Sequence, residues 1–82
     1  MYSLIYSQDA VKQLKKLDKD LQERILSSLE RCRFRPYSHV KKIIGSRYYR
    51  LRVGDYRIIM DIQGDKLRIF VIKIGHRKKI YK

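Results

Sequence analysis

The sequence has no tryptophan, one cysteine, one proline, four glycines and two histidines among its 82 residues. A lone cysteine excludes an intrachain disulfide, and no Cys/His spacing around Cys32 indicates zinc, so we expect it to be a small buried side chain late in a helix. No apolar run approaches the roughly 18 residues that cross a bilayer. Without a signal-peptide pattern either, the sequence predicts a cytoplasmic protein that has no membrane partner.

Acidic residues are also scarce, since eight Asp/Glu stand against 21 Lys/Arg and give a formal net charge of +13. The imbalance is concentrated in residues 41–82, which hold thirteen bases and three acids. The sequence pI of about 10.2 indicates nucleic acid, a ribonucleoprotein or an acidic protein as the partner. Because cations held on rigid strands form a preorganised surface for a polyanion, we expect the function in this half.

The periodicity of apolar residues predicts one α+β domain over residues 1–82. A period-two pattern over residues 2–6 is typical of a short strand. Ser7 then stands where it can cap a helix, and the run Asp18-Lys19-Asp20 can close that helix and cap a second one. Pro36 ends the helical pattern, so a helical hairpin is expected. Three strand patterns follow, at about 47–53, 55–62 and 66–75. The turn residues between them predict a three- to four-stranded antiparallel meander, with which the N-terminal strand pairs.

Alternation along the predicted meander separates charged side chains from apolar ones. Arg50 and Arg52 point to one side of their strand, while Leu51 and Val53 point to the other. If the apolar sets face the helices, these two arginines and Arg57 converge on the uncovered side, where their guanidinium groups can surround one phosphodiester. The alternative is that the arginine stems cover apolar neighbours and pair with the three acids of this half. Both interpretations stay open.

Further chemistry-bearing residues follow the last predicted strand. Positive charge near a phenol or an imidazole favours loss of its proton, so Tyr81 and His76, beside Arg77, are candidate general bases. The structural alternatives are an aromatic tether for the C-terminus and a solvated loop histidine. His39 lies in the connector after Pro36, and we expect it to be solvent-exposed.

No motif indicates a metal or an organic cofactor. Metal-dependent nucleases need clustered carboxylates, whereas Asp55, Asp61 and Asp65 lie in or beside turns. Walker, GxSxG and HExxH motifs do not occur. The sequence therefore predicts no cofactor and no metal site.

Four segments together carry a family resemblance: the tyrosine-rich first strand, residues 10–17, the Arg-Val-Gly-Asp-Tyr-Arg run within residues 49–59, and the terminal His76-Arg77 with Tyr81. They resemble the RelE/ParE superfamily of type II toxin–antitoxin toxins, over nearly the whole chain. The RelE branch is the most similar one. Its members have a RelE-like microbial RNase fold, cut mRNA in the ribosomal A site and are held inactive by an antitoxin.

This resemblance implies a ribosome-dependent, metal-independent endoribonuclease that inhibits translation by cleaving mRNA through 2′-hydroxyl attack. It implies catalytic roles for Arg50, Arg57, Arg77 and Tyr81, with His76 as a possible base. Two strand lysines of the family are replaced by Tyr48 and Arg50, which leaves the general base unassigned. The remaining expected RNA contacts are Lys41, Lys42, Arg47, Tyr48, Arg52, Lys78 and Lys79.

The partners implied by the resemblance are a cognate antitoxin, bound in a heterodimer or heterotetramer, and mRNA on a 70S-type ribosome. Two alternatives stay open at this point. One is a ParE-like inhibitor of DNA gyrase. The other is a catalytically degenerate module that binds only RNA or its antitoxin.

Overall fold

The computed structural model describes residues 1–80, which form two helices and a five-stranded sheet. In chain order the elements are β1 (Ser3–Tyr6), α1 (Gln8–Lys15), α2 (Lys19–Cys32), a 3-10 turn (Pro36–Ser38), β2 (Lys41–Lys42), β3 (Tyr49–Val53), β4 (Tyr56–Gln63) and β5 (Arg68–His76). The strand order is β1-β5-β4-β3-β2, with β2 to β5 antiparallel and β1 parallel to β5. The predicted α+β class, with a helical hairpin before a meander, is confirmed.

The helices begin where the sequence predicts. The Ser7 Oγ accepts a hydrogen bond from the Ala10 N–H at 3.0 Å, and the Asp18 Oδ1 accepts one from the Leu21 N–H at 2.9 Å. Each bond satisfies a backbone donor that the first helical turn would otherwise leave without a partner. After α2, the buried Pro36 opens the 3-10 turn instead of continuing the helix, because proline lacks the N–H that a helix interior requires.

Both helices cover the same face of the sheet. On that face α1 packs mainly on β5, and α2 contacts β3. The buried cluster between the layers comprises Ala10, Ile25, Leu29, Cys32, Leu51, Val53, Ile58, Met60, Ile62, Ile69, Val71 and Ile74. Cys32 is buried as predicted, and burial raises the pKa of its thiol to about 11. None of the helices within residues 1–80 is long and apolar enough to cross a membrane.

The two hairpin turns differ in how well the sequence predicts them. Gly54 and Asp55 form the predicted two-residue turn between β3 and β4, and only Gly54 has a positive φ, at 58°. This matches a type II′ turn, which favours glycine at its first central position. The β4–β5 turn is longer than predicted, and its positive φ of 53° falls on Leu67, whose carbonyl accepts the Ser3 N–H at 2.9 Å.

A bulge in β5 determines to which face of the sheet the side chains after it point. Ile59 pairs with Lys73, but Met60 pairs with Val71, so Ile72 is an extra residue on β5. One extra residue reverses the alternation of side chains along the strand beyond it. Ile74 is therefore buried beneath the helices, and the side chains of β5 at even positions after the bulge point to the helix side.

Candidate functional site

The face of the sheet away from the helices carries a cleft of about 340 Å³. The residues within 1–80 that line it are His39, Lys41, Arg50, Arg52, Arg57 and Arg77. No carboxylate of residues 1–80 is among these lining residues. Five cations and one imidazole around an open cleft make a site for an anion, and guanidinium groups in particular match the geometry of phosphate oxygens.

Strand pairing brings like charges directly opposite one another in this cleft. Lys41 on β2 pairs with Arg50 on β3, and Arg52 on β3 pairs with Arg57 on β4. Residues directly opposite in an antiparallel pair have Cα atoms about 4.5 to 5.5 Å apart, and like charges at that spacing destabilise the sheet. A bound phosphate would offset the repulsion within both pairs.

Arg57 is held in place by the hairpin turn that precedes it. Its Nη1 donates hydrogen bonds to the Gly54 carbonyl at 2.9 Å and to the Tyr56 carbonyl at 3.0 Å. The side chain is half-buried. Because these contacts fix the guanidinium before a ligand arrives, less side-chain entropy is lost on binding than for a freely rotating arginine.

Arg77 reaches the cleft because the chain after β5 docks on the same turn. Its backbone N–H donates to the Asp55 carbonyl at 2.8 Å, and its Nε lies 3.8 Å from the Asp55 Oδ1. Ile80, only 3% exposed, lies against Gly75, and a Cβ at Gly75 would come within 2.9 Å of the Ile80 Cδ1. Glycine at position 75 therefore lets residues 77–80 fold back against the sheet.

His39 also lines the cleft, which the sequence reasoning did not predict. It is solvent-exposed as expected, and its N–H donates to the Pro36 carbonyl at 3.2 Å, closing the 3-10 turn. Val40, the next residue, packs against the core. His39 and Lys41 both line the cleft. Strand alternation does not predict this position of His39, because its backbone is in the αR region, with φ −111° and ψ −7°, and is not extended.

The structure separates Lys42 from Lys41, with which the sequence analysis grouped it. Lys42 pairs with Tyr49, and its Nζ lies 5.9 Å from the centre of the Tyr49 ring. Its Nζ also donates to the Ser46 carbonyl. The two neighbouring lysines point to opposite faces because adjacent strand residues alternate. Only Lys41 lines the cleft.

The structure places His76 apart from the arginines with which the sequence analysis grouped it. The His76 ring packs edge-on against Tyr56, with the ring centroids 5.5 Å apart, and its Nδ1 accepts the Lys78 N–H at 3.2 Å. With Lys78 and Lys79 it lines a different cavity, beside α1. The bulge in β5 is the physical reason, since it turns His76 to the helix side.

Two further predicted residues, Arg47 and Tyr48, do not line the cleft. The Arg47 Nη2 makes an ion pair with the Asp61 Oδ2 at 3.0 Å, and Asp61 is 14% exposed. Tyr48 is 37% exposed and lies outside the cleft lining. Tyr81 lies outside the described residues. The cleft therefore gathers Arg50, Arg57 and Arg77 with two of the seven expected RNA contacts, Lys41 and Arg52.

Known proteins match this chain both in sequence and in fold. The family model described as the ParE toxin of type II toxin–antitoxin systems, parDE, matches residues 4–81. The chain belongs to this toxin family. Toxin RelE3 of Methanocaldococcus jannaschii is 34% identical to it, over 95% of this chain and 93% of the relative.

Solved structures of toxin–antitoxin complexes have the same fold. The archaeal RelE-RelB complex from Pyrococcus horikoshii matches with a TM-score of 0.84 and 27% identity, over 95% of this chain and 97% of that one. The RelB-RelE complex from Methanococcus jannaschii matches with a TM-score of 0.75 and 33% identity, over 95% of each chain. The predicted membership of the RelE/ParE superfamily and the predicted RelE-like fold are confirmed.

Proposed function

We propose that this protein is the toxin of a type II toxin–antitoxin system and that it inhibits translation as a ribosome-dependent endoribonuclease cleaving mRNA in the ribosomal A site. The observation that carries the proposal is the cation-lined cleft on the uncovered face of the sheet. RNA presents a phosphodiester next to every 2′-hydroxyl, and a cluster of arginines is suited to that phosphate. The relatives named RelE toxins support the same assignment.

The proposed reaction is attack of a 2′-oxygen on the adjacent phosphorus. Negative charge builds on the phosphoryl oxygens as the pentavalent transition state forms, so fixed cations stabilise this state more than the ground state. Arg50, Arg57 and Arg77 have this role, each supplying about 3 to 4 kcal/mol by analogy with oxyanion-hole donors. Tyr81 is proposed to orient the 2′-hydroxyl. The mechanism uses cationic side chains and no metal ion.

Two further cleft residues are proposed to bind the RNA on either side of the reacting phosphate. Lys41 and Arg52 stand opposite Arg50 and Arg57, respectively, and extend the row of cations along the sheet. The ribosome supplies the rest of the positioning, because it holds the mRNA codon in one place. Holding the reacting atoms in one geometry lowers the entropic part of the barrier.

The proposed protein partner is a cognate antitoxin, in a heterodimer or heterotetramer. The structural neighbours were solved as RelE-RelB complexes. A partly acidic antitoxin segment would complement the net charge of +13, and opposite charges accelerate association at low ionic strength. Bound over the cleft, such a segment would exclude RNA.

Induced expression in a bacterial host, with mapping of mRNA 5′ ends, tests the proposed activity. We expect growth arrest and new 5′ ends inside translated codons, both reversed by the antitoxin. The match to the ParE toxin model favours one competing function, inhibition of DNA gyrase. Impaired supercoiling with intact mRNA would replace the ribonuclease proposal by that function, and growth without either effect would leave a binding module.

A further inference from the structure

We propose that His39 is the general base of the cleft, the group that takes the proton from the attacking 2′-hydroxyl. The inference rests on the proposed ribonuclease function and deepens it. Among the described residues 1–80 that line the cleft, His39 is the one that is neither arginine nor lysine.

The lining supplies many donors and almost no acceptor. Protonated lysine and arginine only donate hydrogen bonds, and arginine stays protonated in proteins, whereas a neutral imidazole has one ring nitrogen that accepts a proton. Histidine is also the side chain whose ordinary titration falls between pH 5 and 8. Among the side chains of residues 1–80 that line the cleft, only His39 has the chemistry of a base near neutral pH.

The backbone holds His39 near the arginines that would hold the phosphate. Its N–H closes the 3-10 turn on Pro36, and Val40 anchors the following residue in the core. Two positions later, Lys41 pairs with Arg50. The histidine is thus attached at both ends to packed structure, while the residue itself is solvent-exposed and lines the cleft.

The charged groups around His39 come from every strand that lines the cleft. They are Lys41 from β2, Arg50 and Arg52 from β3, Arg57 from β4, and Arg77 from the segment after β5. The carboxylate of Asp55 lies at the rim, 3.8 Å from the Arg77 Nε. In the proposed step these cations bind the phosphate, and His39 accepts the proton of the 2′-hydroxyl.

The proposed step requires only the RNA, the His39 imidazole and solvent water. The 2′-hydroxyl proton moves to the imidazole as the 2′-oxygen forms its bond to phosphorus. The bond from phosphorus to the 5′-oxygen breaks, its electron pair stays on that oxygen, and the oxygen takes a proton from water. The products are a 2′,3′-cyclic phosphate and a 5′-hydroxyl, and the imidazolium returns its proton to solvent.

Single-turnover cleavage of mRNA on programmed ribosomes, measured from about pH 5 to about pH 8, tests the assignment. We expect His39→Gln to lower the rate by about 10²- to 10⁴-fold, as for loss of a general base, and to remove the rise in rate with pH. Added imidazole should partly restore cleavage by His39→Ala. The circular dichroism spectrum and the urea unfolding midpoint should match those of the unmodified protein in both variants.

Several results would overturn the inference. Cleavage by His39→Gln within threefold of the unmodified protein, with the same pH profile, shows that His39 takes no part. A loss that imidazole does not restore, with the pH dependence retained, makes His39 a binding residue only. A pH-dependent loss in His76→Gln instead would move the role to the other histidine. If the unmodified protein leaves mRNA intact, the ribonuclease proposal itself fails.

Discussion

The two faces of the sheet are built from the same strands, but one packs against the helices and the other carries an open, positively charged cleft. Beneath the helices, Leu51 and Val53 of β3 and Ile58 of β4 are at most 6% exposed, in a cluster that contains no charged residue. On the other face, the residues between them are Arg50, Arg52 and Arg57, and they line an open cleft. One face gains stability by removing apolar surface from water, while the other accepts like-charge repulsion.

The cross-strand pairs on the cleft side are not the ones that would stabilise a sheet without a ligand. A sheet face without a ligand would be more stable with opposite charges or β-branched residues in the cross-strand pairs. Two cross-strand pairs, Lys41 with Arg50 and Arg52 with Arg57, instead bring like charges together. We interpret the cationic face as a binding surface whose repulsion is relieved by an anion.

Truncation on the helix side should lower stability. Leu29→Ala removes a fully buried side chain and should reduce the free energy of unfolding by about 2 to 5 kcal/mol, because of lost burial and the cavity left behind. Urea unfolding followed by circular dichroism measures this. Leu26→Ala, at a position that is 38% exposed on the same helix, should cost much less. An equal loss of unfolding free energy in the two variants would contradict the burial of this face of α2 against the sheet.

Removing an arginine on the cleft side should lower activity instead. Arg57→Gln should reduce mRNA cleavage by about 10²- to 10³-fold, since it removes one transition-state donor, while the thermal midpoint changes little. The matched control is Arg31→Gln, which removes the same charge from an exposed position of α2. If both variants lose activity equally, overall charge rather than the cleft is responsible.

Neighbouring lysines on opposite faces allow a finer comparison. Lys41→Gln should weaken binding of a short RNA about tenfold, the effect of losing one charge-assisted hydrogen bond. Lys42→Gln should weaken it less, because Lys42 lies against Tyr49 on the other face. Fluorescence anisotropy at about 0.15 M salt, where long-range attraction is screened, measures both affinities. Identical losses would contradict the assignment of faces.

The smallest expected effect is a gain in the free energy of unfolding. Arg52→Thr removes the like-charge pair with Arg57 and should raise the free energy of unfolding by about 0.2 to 1 kcal/mol, the usual size of a cross-strand pair, while RNA binding weakens. Urea unfolding with and without inorganic phosphate checks the cause. Phosphate should stabilise the unmodified protein more than the variant; the same stabilisation of both would argue against an anion site at this pair.

Much of the fold follows from local patterns in the sequence. Ser7 and Asp18 cap helices as predicted, because a capping side chain and the helix it starts are adjacent in the chain. The alternation around Arg50, Arg52 and Arg57 also identifies the uncovered face, since β3 and β4 have no bulge between them. The positive φ at Leu67 is not visible in the sequence, because it depends on the contact of this turn with β1.

The candidate site is harder to predict, since it depends on which way each side chain points. His76 and Arg77 are adjacent in the sequence but lie at different cavities. The bulge in β5 that turns His76 away arises from the pairing with β4, which no pattern within β5 reveals. His39 was missed for the converse reason. Its place depends on the 3-10 turn and on a strand of only two residues, and both are stabilised by tertiary contacts.

The most direct test of the account is cleavage of mRNA on programmed ribosomes by the purified protein, compared with a variant carrying both Arg50→Gln and Arg57→Gln and with the Arg31→Gln control. Primer extension gives the position and amount of cleavage. We expect cuts in the A-site codon by the unmodified protein and by the control, and none above background by the double variant. No cleavage by the unmodified protein, or equal cleavage by all three proteins, would contradict it.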